Sequence, residues 1–390
     1  MKQKRMFWLL AAAMTLVSML AACAAPAAAP AAAPTTAAAA EAPAADAAPD
    51  PFVEEAIKIA TDATAPYTTW DGPTTGPKAQ EGKFVVVVAG DLNNGGIVGV
   101  NKGIEEAVAV IGWKVQTIDG KGNLAGQTAA FEQAIALKPD GIILNGADAV
   151  SLSGPIKAAD AAGIKVVGWH VGGGQLSDPP VFANIVSDPI ATSKIAAKYV
   201  IAQTKGKANV VIFTDSTYQI AVDKARAMEE EIKACKTCKV LEFVDTPLAE
   251  TSTRMGPLIT NLKQKYGDEM NWLMGINDLY FDFGSPALKA IGVAPEGPPL
   301  SVSAGDGSES AYARIRDGQY QAATIPEPLN LHGWLAIDEM NRALAGEQPS
   351  GYALHIYLVT KDNIAADGGP NNVFDPDNGY RDEYKKIWGK

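Results

Sequence analysis

Regular patterning begins at residues 83–119, where apolar and polar positions follow the order strand, helix, strand. Residues 84–88 are an unbroken apolar run rich in β-branched side chains, which is typical of a strand buried on both faces. After a polar stretch, apolar residues recur at helical spacing, at Ile97, Val100, Ile104, Val108 and Ile111. Gly112 marks the end of that helix and residues 114–118 form the next strand, so the segment predicts a βαβ unit.

The same alternation of helix and strand continues along the chain. It predicts further elements at 129–137, 141–144, 152–162 and 165–169, and a second series at 190–203, 209–213, 218–233, 240–244, 252–266, 271–275, 286–291, 300–303 and 331–344. Strands that alternate with helices indicate parallel sheets, and this many elements fit two lobes better than one sheet. We therefore expect an α/β fold with two doubly wound parallel-sheet lobes.

Ligands of such folds bind beyond the carboxyl ends of the strands. The first loop of this kind, residues 91–96, carries Asp91, Asn93 and Asn94. His170 follows a later strand in the same way. The carboxyl edge of the first sheet is therefore the first place to look for a binding site.

Composition supports a large globular chain and limits its partners. The 390 residues are 47% hydrophobic and 20% charged, which is enough apolar material for two cores. The formal net charge is -11, and loss of the first 22 residues makes it -14 because they contain three basic residues and no acid. Such an acidic chain is not expected to bind nucleic acid or an anionic membrane surface.

The N-terminus has the order of a lipoprotein export signal. Lys2, Lys4 and Arg5 precede an apolar run at 6–19, and Leu-Ala-Ala-Cys ending at Cys23 matches a bacterial lipobox. A cleaved secretory signal with a chance cysteine, or a membrane anchor, is the alternative, although the run is short for a membrane span. The resemblance to lipoprotein signals implies that residues 1–22 are removed and that Cys23 carries lipid.

Two segments separate the lipobox from the patterned region. Residues 23–51 are mostly Ala and Pro, a composition that cannot bury enough apolar surface to fold, so we expect a disordered tether. Residues 52–81 form an N-terminal extension that includes a short helix and a turn-rich stretch with Trp70. We expect this extension to pack on the surface of the fold, near the hinge.

From about residue 83 to residue 360 the chain resembles the periplasmic sugar-binding proteins of the ribose-binding, type I class, which are the solute receptors of ABC importers. The matching segments are VVVVAGDLNN, KPDGIILNGAD, GIKVVGWH, IVSDPIATSKIAAKYV, GIND, AGDG and ATIPEPLNLHGW. The resemblance implies a three-strand hinge, with crossings near Ser187, Pro328 and Tyr357. It divides the chain into a first lobe, 82–187 plus 329–356, and a second lobe, 188–328 plus 357–390 with the C-terminal tail.

The resemblance also implies the ligand-binding residues. Asn93 and Asn94 match the loop after the first strand, and Asn277, Asp306 and Glu327 match polar positions of the second lobe and of the crossover. Such side chains pair with buried sugar hydroxyls, while aromatic faces cover the C–H faces of a sugar ring. The aromatic candidates are Trp169, Tyr218, Tyr280 and Trp334, and His170 is a further polar cleft residue.

Several of these residues have a purely structural alternative. Asn277 is also suited to capping the following helix, and Glu327 to being a solvated hinge carboxylate. Trp169 ends a buried strand and Trp334 lies on an amphipathic helix, so either is also suited to a core position.

Two departures from the class bear on the ligand. Trp169-His170 stands where the class has Asp-Arg, and residues 220–222 are apolar where the class has an arginine. Without those guanidinium groups a pentose is not specifically indicated, and an anionic ligand is disfavoured. A small neutral sugar or polyol fits best, while a cationic or nucleoside-like ligand remains an alternative.

The sequence does not favour an enzyme, a metal site or a cofactor. The chain has three histidines, far apart in sequence, and none of the GxGxxG, GxxxxGK[ST] or HExxH motifs. Cys235 and Cys238 form a CxxC, which in an exported chain favours a structural disulfide over redox chemistry or half a zinc site.

Together these features predict a monomeric solute-binding lipoprotein of an ABC transporter. We expect it in the cell envelope, held by lipid to the outer face of the cytoplasmic membrane, where it delivers its ligand to the permease. A receptor for a signalling partner is the competing interpretation, and an enzyme that reuses the fold is the least favoured.

Overall fold

A computed structural model describes residues 50–172, 178–366 and 371–390. The predicted signal peptide, Cys23 and the tether up to residue 49 lie outside these residues. Within them no helix is long and apolar enough to cross a membrane.

The first lobe contains a five-stranded parallel sheet in the order β2-β1-β3-β4-β5. Its strands are β1 (Phe84–Ala89), β2 (Lys114–Asp119), β3 (Gly141–Asn145), β4 (Lys165–Trp169) and β5 (Asn184–Ile185). All of β3, and β1 after its first residue, are buried, because helices cover both faces of the sheet.

Four helices cover the first sheet. They are α2 (Gly95–Ile111), α3 (Leu124–Ala136), α4 (Ser153–Ala161) and α10 (Leu329–Ala345). Asn94 and Asn123 cap α2 and α3 by accepting hydrogen bonds from backbone N–H groups of the first turns. Gly112 ends α2 with a φ of 86°, which a residue with a Cβ rarely adopts.

The second lobe contains a six-stranded sheet in the order β11-β10-β9-β8-β6-β7, parallel except for the β10–β11 pair. Its strands are β6 (Asn209–Thr214), β7 (Lys239–Asp245), β8 (Trp272–Gly275), β9 (Leu300–Ser303), β10 (Gln321–Thr324) and β11 (Val359–Thr360). Its helices are α5 (Pro189–Gln203), α6 (Gln219–Ala234), α7 (Thr251–Tyr266), α8 (Leu279–Ala290) and α9 (Glu309–Asp317). A short 3-10 helix, Leu248–Glu250, precedes α7.

The chain passes between the two sheets three times, after β5, after β10 and between α10 and β11. The predicted fold class, two doubly wound lobes joined by a three-strand hinge, is therefore confirmed. The prediction missed β5, α9, β10, β11 and the C-terminal helix at Tyr380–Trp388, which are all short, and it began α8 at Pro286 rather than at Leu279. The earlier start is supported by Asn277, whose side-chain oxygen accepts a hydrogen bond from the Leu279 N–H at 2.9 Å.

The N-terminal extension contacts both lobes. Helix α1 (Pro51–Asp62) packs on α5 of the second lobe. Further along, the Trp70 ring packs against the rings of Tyr352 and Tyr384, and the side chain of Asn341 on α10 donates to the carbonyl of Pro77. The segment thus runs alongside the third hinge crossing.

The C-terminal tail differs from the expectation that all of 357–390 belongs to the second lobe. β11 does pair with β10, but the last helix, α11 (Tyr380–Trp388), packs on α2 and α10 of the first lobe. Trp388 stacks on Trp334 at 5.4 Å between ring centroids. Burial of these large apolar rings explains why the tail returns to the first lobe.

Candidate functional site

A cavity lies between the lobes, at the carboxyl edges of both sheets. Its polar lining comes from both lobes and consists of Asp91, Asn94, His170, Tyr218, Lys224, Asn277 and Asp306. Most of its apolar lining comes from the second lobe, at Ile220, Ala221, Leu248, Ala249, Ile276 and Leu279. The topology therefore brings most of the predicted site residues to one place.

The two asparagines of the first loop have different positions. Asn94 lines the cavity, and its side-chain oxygen caps α2 by accepting from the Gly96 N–H at 2.9 Å. Asn93 is exposed, hydrogen-bonds to Asp91 at 2.9 Å and does not line the cavity. The structure therefore places Asn94, and not Asn93, in the lining of this cavity, and a ligand contact of Asn93 stays a prediction.

Asp306 and Asn277 form the floor of the cavity on the second lobe. The Asn277 side-chain nitrogen donates to Oδ2 of Asp306 at 2.6 Å, while its oxygen accepts from the Leu279 N–H at the start of α8, so Asn277 has the capping role and also lines the cavity. Asp306 is only 4% exposed. Burial raises the pKa of its carboxyl, against the opposing effects of the Lys224 and His170 charges and of the Asn277 hydrogen bond.

The lobes touch directly beside Asp306. A Cβ on Gly96, in the first turn of α2, would overlap the Asp306 carboxylate, and one on Gly95 would overlap Ser308. The cavity volume is about 70 Å³, well below the roughly 300–1,000 Å³ of typical ligand pockets. The structure is thus a closed arrangement, and a ligand can enter the cavity only when the lobes separate.

Glu327 does not line the cavity but lies behind it, 2% exposed. Ser187 of the first crossing donates to Oε2 of Glu327 at 2.6 Å. Nε2 of His170 lies 3.3 Å from Oε1, and Nε2 of His332 lies 3.4 Å from Oε2. We call these four residues with Trp169 the hinge cluster. Burial contradicts the alternative of a solvated hinge carboxylate, and the structure places Glu327 outside the cavity lining, so its contact with ligand stays a prediction.

The hinge cluster has a defined protonation pattern. Burial alone would raise the pKa of Glu327, but His170, His332 and Lys224 hold it well below its usual range. Burial lowers the pKa of His332 to about 4, so its ring is neutral at pH 7. The Trp169 N–H donates to Nδ1 of His332 at 2.8 Å, which places the His332 proton on Nε2, facing Glu327. Ser187 is thus the hydrogen-bond donor to this carboxylate among the described residues, and the two imidazole Nε2 atoms lie beside it without forming hydrogen bonds.

Of the aromatic candidates, Trp169 and Tyr218 line the cavity, whereas Tyr280 and Trp334 do not. His170 stacks on Trp169 with 3.9 Å between centroids and 5° between planes, so one face of the indole is covered by protein. Tyr218 lines the cavity and accepts a hydrogen bond from Gln127 of the first lobe at 3.3 Å. Tyr280 and Trp334 are fully buried in the two cores and do not line the cavity.

The sequence interpretation missed Lys224. This lysine lies one helical turn after Ile220 on α6, on the face directed at the cavity, and it is only 4% exposed. Its amine donates to the carbonyl of Ala304 at 2.9 Å. The comparison with the class considered only residues 220–222, where an arginine was absent. Helical spacing from that position is the signal that identifies Lys224.

The two remaining cysteines and the acidic groups give no second site. The sulfur atoms of Cys235 and Cys238 are 2.11 Å apart, joined as a disulfide at the end of α6. No group of three or more His, Cys, Asp or Glu side chains in the described residues is arranged to hold a metal ion. The cavity between the lobes is therefore the site that both sequence and geometry support.

Known proteins provide an independent comparison. Residues 84–348 match the model of a family described as the periplasmic binding protein domain. The ribose import binding protein of Bacillus subtilis (strain 168) is 26% identical over 280 residues, which cover 72% of this chain and 87% of that protein.

Two solved structures share the fold. An ABC transporter solute-binding protein from Agrobacterium vitis, bound with alpha-D-tagatopyranose, has a TM-score of 0.66 and 17% identity, covering 75% of this chain and 99% of its own. A second ABC transporter solute-binding protein from Agrobacterium vitis, with bound allitol, has a TM-score of 0.62 and 19% identity, covering 73% of this chain and 97% of its own. At these identities the likeness concerns the fold.

Proposed function

Because this chain belongs to the periplasmic binding protein domain family, we propose that it is the solute-binding component of an ABC importer for a small neutral sugar or polyol. The observation that carries the proposal is the cavity between the lobes, lined by hydrogen-bonding side chains from both. Buried hydroxyls need such partners, since an unpaired one costs free energy. The names of the similar proteins, a ribose import protein and proteins bound with a ketose and a polyol, support this ligand class.

The mechanism follows from the closed arrangement. Separation of the lobes at the three crossings exposes Asp91, Asn94, Asn277 and Asp306 to solvent and admits the ligand. A ligand that bonds to both lobes stabilises the closed form, because those bonds form together only when the lobes meet. The permease then distinguishes closed from open protein by the relative position of the two lobes.

We further propose that the protein acts as a monomer outside the cytoplasm, anchored by lipid on Cys23. The lipobox and the Ala/Pro-rich tether support this location. Metabolic labelling with a radioactive fatty acid, lost in Cys23→Ser, is the expected result. Labelling that persists in the variant would contradict the anchor.

The binding proposal is tested by thermal shift and calorimetry with sugars, polyols, nucleosides, amino acids and polyamines. A ligand that binds only the folded state raises the melting temperature. We expect a neutral sugar or polyol to do so, and Asp306→Ala to weaken its binding by about 1–3 kcal/mol. Asp268→Ala, whose side chain is 96% exposed, is the matched control and should bind normally. A response to nucleosides or polyamines alone would contradict the proposed ligand.

A further inference from the structure

Two side chains of opposite charge, Lys224 and Asp306, line the cavity without forming an ion pair with each other. Lys224 and Asp306 are each 4% exposed and both line the cavity. The Lys224 ammonium has three N–H donors, and one is directed at the Ala304 carbonyl. Among the described residues the contact of this ammonium is the Ala304 carbonyl, and it forms no ion pair with Asp306 or another described carboxylate. Two of its donors are therefore left for a group inside the cavity.

Asp306 has matching unused capacity. Its Oδ2 accepts from Asn277 at 2.6 Å, whereas its Oδ1 accepts no hydrogen bond from any described residue. A buried carboxylate is stable only when its lone pairs are satisfied, and ordinary surface ion pairing is closed to it here. The lining of one small cavity thus contains both an acceptor-only group and a donor-only group, and the Lys224 amine bonds to a carbonyl two residues before Asp306.

Given the proposed sugar-binding function, on which this step rests, we infer that Lys224 and Asp306 form a split ion pair that a ligand hydroxyl completes. A hydroxyl accepts from the Lys224 ammonium and donates to the Asp306 carboxylate at the same time. Lys224 is therefore a specificity-determining residue. It selects neutral ligands with a hydroxyl at this position, and it disfavours their deoxy analogues.

The same arrangement disfavours ligands with a single net charge. An ammonium ligand that pairs with Asp306 meets Lys224 as a like charge, and a carboxylate or phosphate ligand that pairs with Lys224 meets Asp306, with Glu327 behind the cavity. Inside a protein such like-charge contacts are strongly unfavourable. A neutral hydroxyl both accepts and donates, so it satisfies both partners without a like-charge contact.

The test is calorimetry with four named probes, D-ribose, D-arabinose, D-tagatose and allitol, on the wild type, Lys224→Met, Asp306→Asn and the double variant. With whichever probe binds the wild type, we expect each single variant to bind about 10- to 100-fold more weakly, as for a hydrogen bond to a charged group. Because one hydroxyl bridges both residues, the double variant should be no more than about threefold weaker than the poorer single variant.

A matched control and a second variant complete the design. Lys233→Met removes an exposed lysine from the same helix and should leave the affinity unchanged. If Lys224→Met does not unfold cooperatively, Lys224→Gln replaces it, since the amide keeps one donor but no charge, and the same loss is expected. A deoxy analogue of the binding probe, lacking the bridging hydroxyl, should be insensitive to either variant.

The outcomes separate the two proposals. Normal binding by Lys224→Met, or losses that multiply in the double variant, would overturn the split ion pair while the receptor function stands. Failure of all four probes to bind the wild type would overturn the sugar ligand, and the split ion pair with it.

Discussion

The hinge cluster and the cavity floor each contain a buried carboxylate, and the two carboxylates have opposite surroundings. Glu327 is enclosed by Ser187, His170 and His332, and its pKa is held below the usual range. Asp306 has a single side-chain donor, Asn277, and burial raises its pKa. Both carboxylates were expected to contact ligand, yet only Asp306 lines the cavity.

The difference shows that burial of a carboxylate does not by itself indicate a ligand-binding role. A carboxylate that protein groups enclose is out of reach of a ligand in this arrangement, so its role is to hold segments together. Glu327 links the first and second hinge crossings through Ser187, and it orients His170 at the cavity wall. A carboxylate left partly unpaired is less favourable for folding but is available to a ligand. Substitution of Glu327 should therefore mainly lower the stability of the fold, whereas substitution of Asp306 should mainly weaken ligand binding.

The largest effect is expected from Glu327→Ala. Removing this carboxylate leaves the buried Ser187 hydroxyl without its acceptor and takes away the buried charge beside His170 and His332, which should lower the free energy of unfolding by about 3–5 kcal/mol. Asp306→Ala should change it by less than about 1 kcal/mol while weakening ligand binding. Denaturant unfolding of both variants measures the contrast, and equal losses of stability would refute the distinction between them.

The sequence predicted the fold well and the site only in part, for physical reasons. Runs such as the valines of β1 specify a doubly buried strand by themselves, and polar residues after strands must meet at a carboxyl edge. Whether such a residue lines the cavity depends on the conformation of a single backbone turn. At the start of α2 that turn places Asn94 in the lining and leaves Asn93 outside it.

Long-range contacts explain the rest. The partners of Glu327 lie about 140 residues away in the case of Ser187 and 157 in the case of His170, so no local pattern shows that the carboxylate is enclosed. Lys224 lies one helical turn beyond the apolar residues 220–222, so its place in the cavity follows from the helix geometry and not from a match at the arginine position. The docking of α11 on the first lobe likewise depends on its stacking with Trp334.

A pH dependence provides the second test of the hinge cluster. Burial lowers the pKa of His332 to about 4, whereas a histidine in an unfolded chain titrates near 6.5. Between about pH 6.5 and pH 4 the unfolded chain binds a proton that the folded chain does not. The free energy of unfolding should therefore fall as pH falls through this window, by about 3 kcal/mol in all, and the histidine contributes no further loss below it.

His332→Asn isolates this contribution, since the asparagine oxygen can still accept from the Trp169 N–H. Denaturant unfolding at several pH values between 4 and 7 should show a shallower slope for the variant than for the wild type. Loss of the Glu327 charge acts below this window, because its pKa lies under the usual carboxyl range. Parallel slopes for wild type and variant would mean that His332 titrates alike in the folded and unfolded chains.

The smallest effect is expected from a substitution in the first lobe, at Gly96, which faces the cavity floor of the second lobe. In Gly96→Ala the new methyl group would overlap the Asp306 carboxylate, which is fixed by Asn277, so the lobes cannot close fully. A ligand that needs contacts to both lobes should then bind about tenfold more weakly or worse, with the lobes themselves still folded.

Gly256→Ala on α7 is the control, because a Cβ there meets nothing within 4 Å. It should keep normal affinity and gain up to about 1 kcal/mol of stability from better helix propensity. Unchanged affinity in Gly96→Ala would mean that the ligand-bound protein holds Asp306 farther from α2 than this closed arrangement does.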